Sequence, residues 1–159
     1  VVVNEEGRLA RQTVDNVDSL TSAGPELTEG RRYWEVELVG EDTALLFVGV
    51  CRPDADPRAQ HCYSQSTWLM SASGGSLWGN GKQASDKAGG FEQGDRLGVL
   101  VDLDAGSLLF FKNGVQHGPG YPAGSVTGPV ALAAHMFYSR SAVRLIAGAE
   151  WPAGRAARV

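Results

Sequence analysis

Apolar and polar residues alternate along much of this chain with the two-residue period of β-strands. In residues 33–39, Trp34, Val36 and Leu38 fall on one face and polar or aromatic residues on the other. That pattern predicts an antiparallel strand buried on one side. Residues 45–51 form an almost continuous apolar run of strand length, which favours a strand in the middle of a sheet.

The same pattern predicts further strands, separated by segments rich in glycine, serine, proline and aspartate. The other predicted strand segments are 77–79 with Gln83 across an Asn80-Gly81 turn, 97–103, 107–112, 129–137 and 142–146. The segments predicted as loops are 21–30, 52–60, 71–76, 84–90 and 117–128. Many short strands at regular spacing indicate an all-β protein, a β-sandwich, in which Trp34, Trp68 and Trp78 fill the core.

The most specific stretch is residues 94–114, which read GDRLGVLVDLDAGSLLFFKNG. It predicts two antiparallel strands joined by an Asp/Gly turn, followed by an Asn-Gly turn. It resembles the central signature of the SPRY domain family. Further segments are similar to the family's other motifs: 30–37 (GRRYWEVE), 48–51 (VGVC), Trp68, 77–82 (LWGNGK), 120–122 (GYP) and 129–131 (PVA).

This resemblance covers about residues 4–147 and shows no clear PRY segment. It implies a bent, two-sheet antiparallel β-sandwich of the concanavalin-like SPRY type. We therefore expect a single SPRY domain over residues 1–150, with 151–159 as a C-terminal tail or the start of a linker. The resemblance also implies a non-catalytic interaction module that binds a protein or peptide through loops at one rim of the sandwich.

The resemblance to one group of the family, the SPRY-and-SOCS-box relatives, also indicates candidate partner-binding residues. Tyr63 is the nearest match to a tyrosine in the loop after the VGV strand, and His135, Met136, Phe137 and Tyr138 occupy the position of a late Trp-Gly pair. The family's N-terminal arginine could correspond to either Arg11 or Arg31, and Arg31 is taken as the candidate. The missing Trp-Gly pair argues against the specificity of the SPRY-and-SOCS-box relatives for peptides with acidic residues and asparagine.

The run from His135 to Tyr138 has two interpretations. Aromatic residues and methionine are enriched at binding hot spots. Alternate members could instead continue a strand into the core. We expect Tyr63 and Met136 to be binding residues and Phe137 to be a core residue.

Composition limits the partners and the compartment. The 159 residues are 43% hydrophobic and 20% charged, with a net charge of −4 and scattered basic residues, which argues against nucleic-acid binding. No apolar run is long enough for a membrane span. With only Cys51 and Cys62, the chain fits a reducing compartment. We expect an intracellular domain, cytoplasmic or nuclear, that is monomeric within a larger protein or complex.

The candidate chemistry is sparse. Glu35 and Glu37 share one strand face, so a lectin-like glycan binder or a sandwich-fold glycosidase is the alternative to an interaction module. Asp102 and Asp104 resemble the start of a calcium loop. We expect their carboxylates instead to accept hydrogen bonds from the backbone of their own turn. We expect no catalytic residues, no metal and no cofactor, and hence no enzyme.

Overall fold

The computed structural model describes residues 1–4, 8–60, 64–79 and 82–152, and in these ranges the chain forms strands and no helix. The strands are β1 (Val2–Asn4), β2 (Leu9–Arg11), β3 (Ser19–Leu27), β4 (Arg31–Leu38), β5 (Phe47–Cys51), β6 (Thr67–Ser71), β7 (Ser76–Gly79), β8 (Lys82–Lys87), β9 (Arg96–Asp102), β10 (Ser107–Lys112), β11 (Val115–Gln116), β12 (Val130–Met136) and β13 (Ala142–Leu145). None of the described segments is a helix long and apolar enough to cross a membrane.

The strands form two antiparallel sheets, as the alternating pattern predicts. The first has seven strands in the order β1-β2-β13-β4-β9-β10-β11, and the second has six in the order β3-β12-β5-β6-β7-β8. Chain neighbours β9 and β10 form a hairpin in which Val101 is opposite Leu108 and Val99 is opposite Phe110. The prediction of an antiparallel two-sheet sandwich is therefore confirmed.

The turn between β9 and β10 is stabilised by the acidic pair. Asp102 Oδ1 accepts hydrogen bonds from the backbone N–H groups of Asp104 and Ala105, each at 3.0 Å. Asp104 Oδ1 accepts one from the N–H of Gly30 at 3.1 Å, and Gly106 completes the turn at φ +76°. Asp102 therefore holds its own turn, as expected, whereas Asp104 connects the turn to the residue before β4.

The main core lies between the two sheets and is built from the inward-facing residues of each strand. Trp34, Val99 and Phe110 of the first sheet meet Val50 and Trp68 of the second, all in one buried cluster. The indole N–H of Trp68 donates to the carbonyl oxygen of Ser125 at 3.0 Å, so the one polar atom of this large side chain is satisfied.

A second, smaller cluster covers the outer face of the second sheet. It contains Phe47, Cys51, Leu69 and Ala133, with Leu20, Ala55 and Trp78 packed against it. The prediction that Trp78 fills the main core is wrong, because Trp78 alternates to the outer face, where its ring meets that of Phe47 edge-on at 5.7 Å. The segment 52–60 covers part of this cluster, since the N–H of Leu20 donates to the carbonyl of Pro57 at 2.9 Å.

Some strands lie where the sequence predicts loops. Most of β3 falls in the segment 21–30, and β8 overlaps 84–90. Both are edge strands of the second sheet, so they need neither continuous apolar character nor full pairing. Gly24 has a φ of +75° in β3, and the register of β3 against β12 shifts near this point, which is typical of an irregular edge.

Candidate functional site

Loops from both sheets meet at one end of the sandwich. We call this end the Phe137 rim and define it as the segments 12–18, 39–46 and 137–141. The N–H of Asn16 donates to the carbonyl of Phe137 at 3.0 Å, and the N–H of Gly40 donates to that of Ala142 at 3.2 Å. The rim thus brings together three segments that are far apart in the chain.

Side chains hold these loops in place as well. The buried Gln12 amide donates to the carbonyl of Val17 at 2.8 Å, which closes the 12–18 loop on itself. Asp15 accepts the N–H of Ser139 at 2.8 Å, and this hydrogen bond holds the pKa of Asp15 below its usual value. Arg140 pairs with Asp42 at 2.9 Å. The Phe137 rim is therefore a preformed surface whose loops are tied to one another.

A pocket of about 210 Å³ opens beside Phe137. It is lined by Asp18, Leu45, Gln60, His135 and Phe137. Leu45 is 36% exposed and has a φ of +50°, a backbone conformation that branched side chains rarely adopt. A hydrogen bond from the N–H of Ala44 to Asp42 at 2.9 Å shapes the turn just before Leu45. We call this cavity the rim pocket.

His135 forms a buried part of the rim pocket. Only 1% of it is exposed, its ring meets Phe47 edge-on at 5.7 Å, and its Nε2 lies 3.1 Å from Asp18 Oδ1. Burial lowers the pKa of His135 to about 4, although a hydrogen bond involving Ala59 acts in the opposite direction. The nearby Asp18 carboxylate also favours the charged ring, but we take desolvation as dominant because the ring is almost fully enclosed. His135 is thus a neutral side chain at pH 7.

Folding stability should therefore decrease as the solution is acidified from pH 7 to pH 5. The pKa of His135 falls from 6.5 to about 4 on folding, so in this range the unfolded chain binds a proton that the folded chain does not. The stabilisation from the neutral His135 is fully present above pH 6.5 and is lost as the pH falls to about 4. We expect urea unfolding to give a loss of about 1–2 kcal/mol at pH 5.

A proton NMR titration of the imidazole ring checks the same point directly. His135 should remain neutral at pH 5, and the His135→Gln variant should lose this pH dependence, whereas the control His117→Gln should keep it. A ring of His135 that titrates at or above its ordinary pKa would contradict this account.

Met136 is a core residue, which corrects the expectation that it binds a partner at the surface. Its side chain is completely buried in the main core, because β12 places alternate residues on opposite faces of its sheet. Phe137, expected in the core, comes after the strand and is half-buried at the rim. Its ring contacts that of the half-buried Tyr138 edge-on, with centroids 5.1 Å apart.

Arg31 lies at the opposite end of the sandwich from the Phe137 rim. It begins β4, whereas the rim follows Leu38 at the end of the same strand, about 23 Å away at about 3.3 Å per residue. Arg31 pairs with Asp102 at 3.2 Å, and its guanidinium carbon lies 5.7 Å from the ring centre of Trp151. The structure therefore does not bring Arg31 together with Phe137.

The alternative arginine, Arg11, lies at the same end of the sandwich as Phe137. It is exposed and ends β2 opposite Ala142, next to the rim. Tyr63, the remaining candidate, lies outside the described residues, as does the predicted Asn80-Gly81 turn.

Sequence reasoning missed Asp18 and Leu45. Nothing in the sequence marks Asp18, and Leu45 belongs to an apolar run that predicts a strand. Leu45 instead lies in a turn with a positive φ, and the strand β5 begins only at Phe47.

Comparisons with known proteins agree with this architecture. The family model described as "SPRY domain" matches residues 31–150. The chain belongs to the SPRY domain family. The crystal structure of the SPRY domain of human HERC1 is similar, with a TM-score of 0.79 and 22% identity over 92% of each chain. A second human SPRY domain structure has a TM-score of 0.73 and 22% identity over 93% of this chain and 96% of that one.

The two glutamates that suggest a glycosidase are engaged in structural contacts in this SPRY domain. Glu35 accepts a hydrogen bond from the Tyr33 hydroxyl at 2.7 Å and pairs with Arg96 at 3.3 Å. Burial and the Glu35 carboxylate raise the pKa of Tyr33. Glu37 pairs with Arg144 at 3.6 Å. Each carboxylate thus has a cationic partner on the outer face of the first sheet.

The face around these glutamates is filled rather than open. A methyl group at Gly98 would overlap the Tyr33 hydroxyl, and the Tyr33 ring meets the buried Phe111 edge-on at 5.8 Å. An exposed row of aromatic rings, as a glycan platform requires, is not formed by these residues. Within the described ranges, no three His, Cys, Asp or Glu residues are grouped so as to hold a metal ion.

Proposed function

We propose that this SPRY domain is a non-catalytic interaction module that binds a protein or peptide at the Phe137 rim. We further propose that it acts inside the cell, in the cytoplasm or nucleus, as one monomeric part of a larger protein or complex. The observation that carries the proposal is the rim pocket itself. It is walled by Leu45 and Phe137, and the loops on either side of it are tied together by hydrogen bonds and an ion pair.

Several physical features support binding at this rim. Phe137 and Tyr138 are half-buried aromatic residues at the edge of a rigid sandwich, and aromatic residues dominate the energetics of protein interfaces. Loops placed on a rigid scaffold are where binding residues concentrate. A preformed surface loses less conformational entropy on binding than a mobile one. Tyr63 remains a predicted contact, and Arg11 replaces Arg31 as the predicted basic residue.

Phe137→Ala is expected to abolish most of the binding and to leave the fold intact. Loss of a hot-spot aromatic residue costs at least about 2 kcal/mol, a factor of roughly 30 in affinity. Because Phe137 is half-buried, the free energy of unfolding should decrease by only about 1 kcal/mol. Calorimetry with peptides selected against the wild-type domain from a random library measures the affinity, and urea unfolding measures the stability.

The matched control is Val115→Ala. Val115 is an apolar residue with 59% of its surface exposed, and it lies on the edge strand β11 outside the rim segments. It should bind the selected peptides with wild-type affinity. If Phe137→Ala binds as well as the control, the peptides do not use the Phe137 rim and the proposal is wrong.

A further inference from the structure

The charge of the Phe137 rim indicates what kind of partner it binds. The three rim segments contain four acidic residues, Asp15, Asp18, Glu41 and Asp42, against one basic residue, Arg140, and with the adjacent, exposed Arg11 the formal charge of this end is −2. The whole chain has a net charge of −4, so half of its excess negative charge lies at this end. A surface of one sign attracts a partner of the opposite sign and disfavours a like-charged one.

The rim pocket combines that charge with apolar walls. Leu45 and Phe137 provide hydrocarbon and aromatic surface, and Asp18 places a carboxylate at the same cavity, with 20% of its side chain exposed. His135 contacts this carboxylate at 3.1 Å. Because burial keeps the imidazole neutral at pH 7, it does not cancel the negative charge of Asp18. A carboxylate can accept several hydrogen bonds at once, so contact with His135 is compatible with a further donor.

We propose that the rim pocket binds an arginine side chain of the partner. This inference rests on the proposed function of the rim. The aliphatic part of arginine packs along Leu45, its planar guanidinium stacks on the Phe137 ring, and its N–H groups donate to the Asp18 carboxylate. Arginine suits this combination better than lysine, because a guanidinium can stack on an aromatic ring and donate two parallel hydrogen bonds.

Leu45 is the specificity-determining residue in this account. At φ +50° a glycine or asparagine would be less strained than leucine. The solvent-exposed part of the leucine side chain adds no stability to the fold that would offset this strain. Its side chain instead forms a wall of the rim pocket. Backbone strain of this kind persists at ligand-binding sites when the surrounding structure holds it.

The test uses short peptide libraries with mixed flanking positions and one defined central residue. The four central residues are arginine, lysine, citrulline and leucine, and citrulline has the shape of arginine without its charge. We expect the arginine library to bind the domain about tenfold more tightly than the citrulline library, with lysine between them. Asp18→Asn should remove the preference for arginine over citrulline, whereas Glu41→Gln, which removes an equal charge from the rim outside the pocket, should keep it.

Other outcomes separate this inference from the proposed function. Equal binding of arginine and citrulline, or preference for leucine, overturns the arginine assignment, and the rim function stands if Phe137→Ala still abolishes binding. Binding that is insensitive to Phe137→Ala, or no binding to any library, overturns both.

The variant Leu45→Asn keeps the test independent of folding defects. Asparagine tolerates positive φ, which offsets part of the apolar contact that is lost with the leucine, so the variant should stay folded while its affinity for the arginine library falls about tenfold. Unchanged affinity in a stably folded Leu45→Asn variant contradicts the role of Leu45 and with it the proposal.

Discussion

Gly49→Ala is expected to cost at least about 3 kcal/mol of folding free energy, a large fraction of the stability of a typical domain. Gly49 lies in the middle of β5, opposite Leu69 of β6. A methyl group at this position would overlap the carbonyl oxygen of Trp68 and lie 2.9 Å from the Cα of Leu69. Both atoms belong to the backbone of a paired strand, so neither can move without breaking the pairing between β5 and β6.

Urea unfolding of Gly49→Ala beside Gly74→Ala measures this effect. At Gly74 the nearest atom to an added methyl group is the flexible Lys87 Cδ at 3.8 Å, so that variant should unfold within about 0.5 kcal/mol of the wild type. If the two variants are equally stable, the claim that β5 and β6 are too close at Gly49 to admit a methyl group is wrong. The glycine of the VGV motif is thus expected to serve packing rather than backbone flexibility.

Met136→Ala is expected to destabilise the domain by about 2–5 kcal/mol, as truncation of a fully buried methionine usually does. The side chain has no exposed surface and lies in the main core. Any loss of binding should therefore follow the loss of folded protein. Its neighbour Phe137, half-buried at the rim, should show the opposite pattern, with much weaker binding and a loss of only about 1 kcal/mol of unfolding free energy.

Measuring stability and peptide affinity for both variants separates these roles. Affinity should be compared at a temperature and urea concentration where each variant is fully folded. A Met136→Ala variant that is as stable as the wild type but does not bind would restore Met136 as a surface contact. That result would require β12 to present its opposite face to the core.

The strands that the sequence predicts best are those with strong local signals. The β9–β10 hairpin has apolar strands on both sides of a turn with Asp102, Asp104 and Gly106, and its turn contacts are within a few residues. All five residues of the strand β6 are buried, so buried and exposed positions do not alternate. No two-residue period therefore identifies this segment as a strand. The edge strand β3 contains Gly24 and Pro25, which by their local preference predict a loop.

The candidate site was predicted only in part. Of the segment from His135 to Tyr138, only His135 and Phe137 line the rim pocket, and Met136 faces the main core because neighbouring residues of a strand point to opposite faces. The sequence left open whether His135 or Met136 faces the main core. It also left open whether Arg11 or Arg31 joins the rim, because both arginines are at strand ends and only strand order determines which ends meet.

The family and fold class of this protein follow from its sequence alone, because strand period and turn residues are properties of consecutive residues. The tertiary structure alone determined which face of β12 is buried, where Arg31 lies, and that Asp18 and Leu45 share a pocket with Phe137. Those features depend on contacts between distant segments, such as the hydrogen bond from Asn16 to Phe137. Neither the sheet order that creates such contacts nor the positive φ of Leu45 can be read from nearby residues.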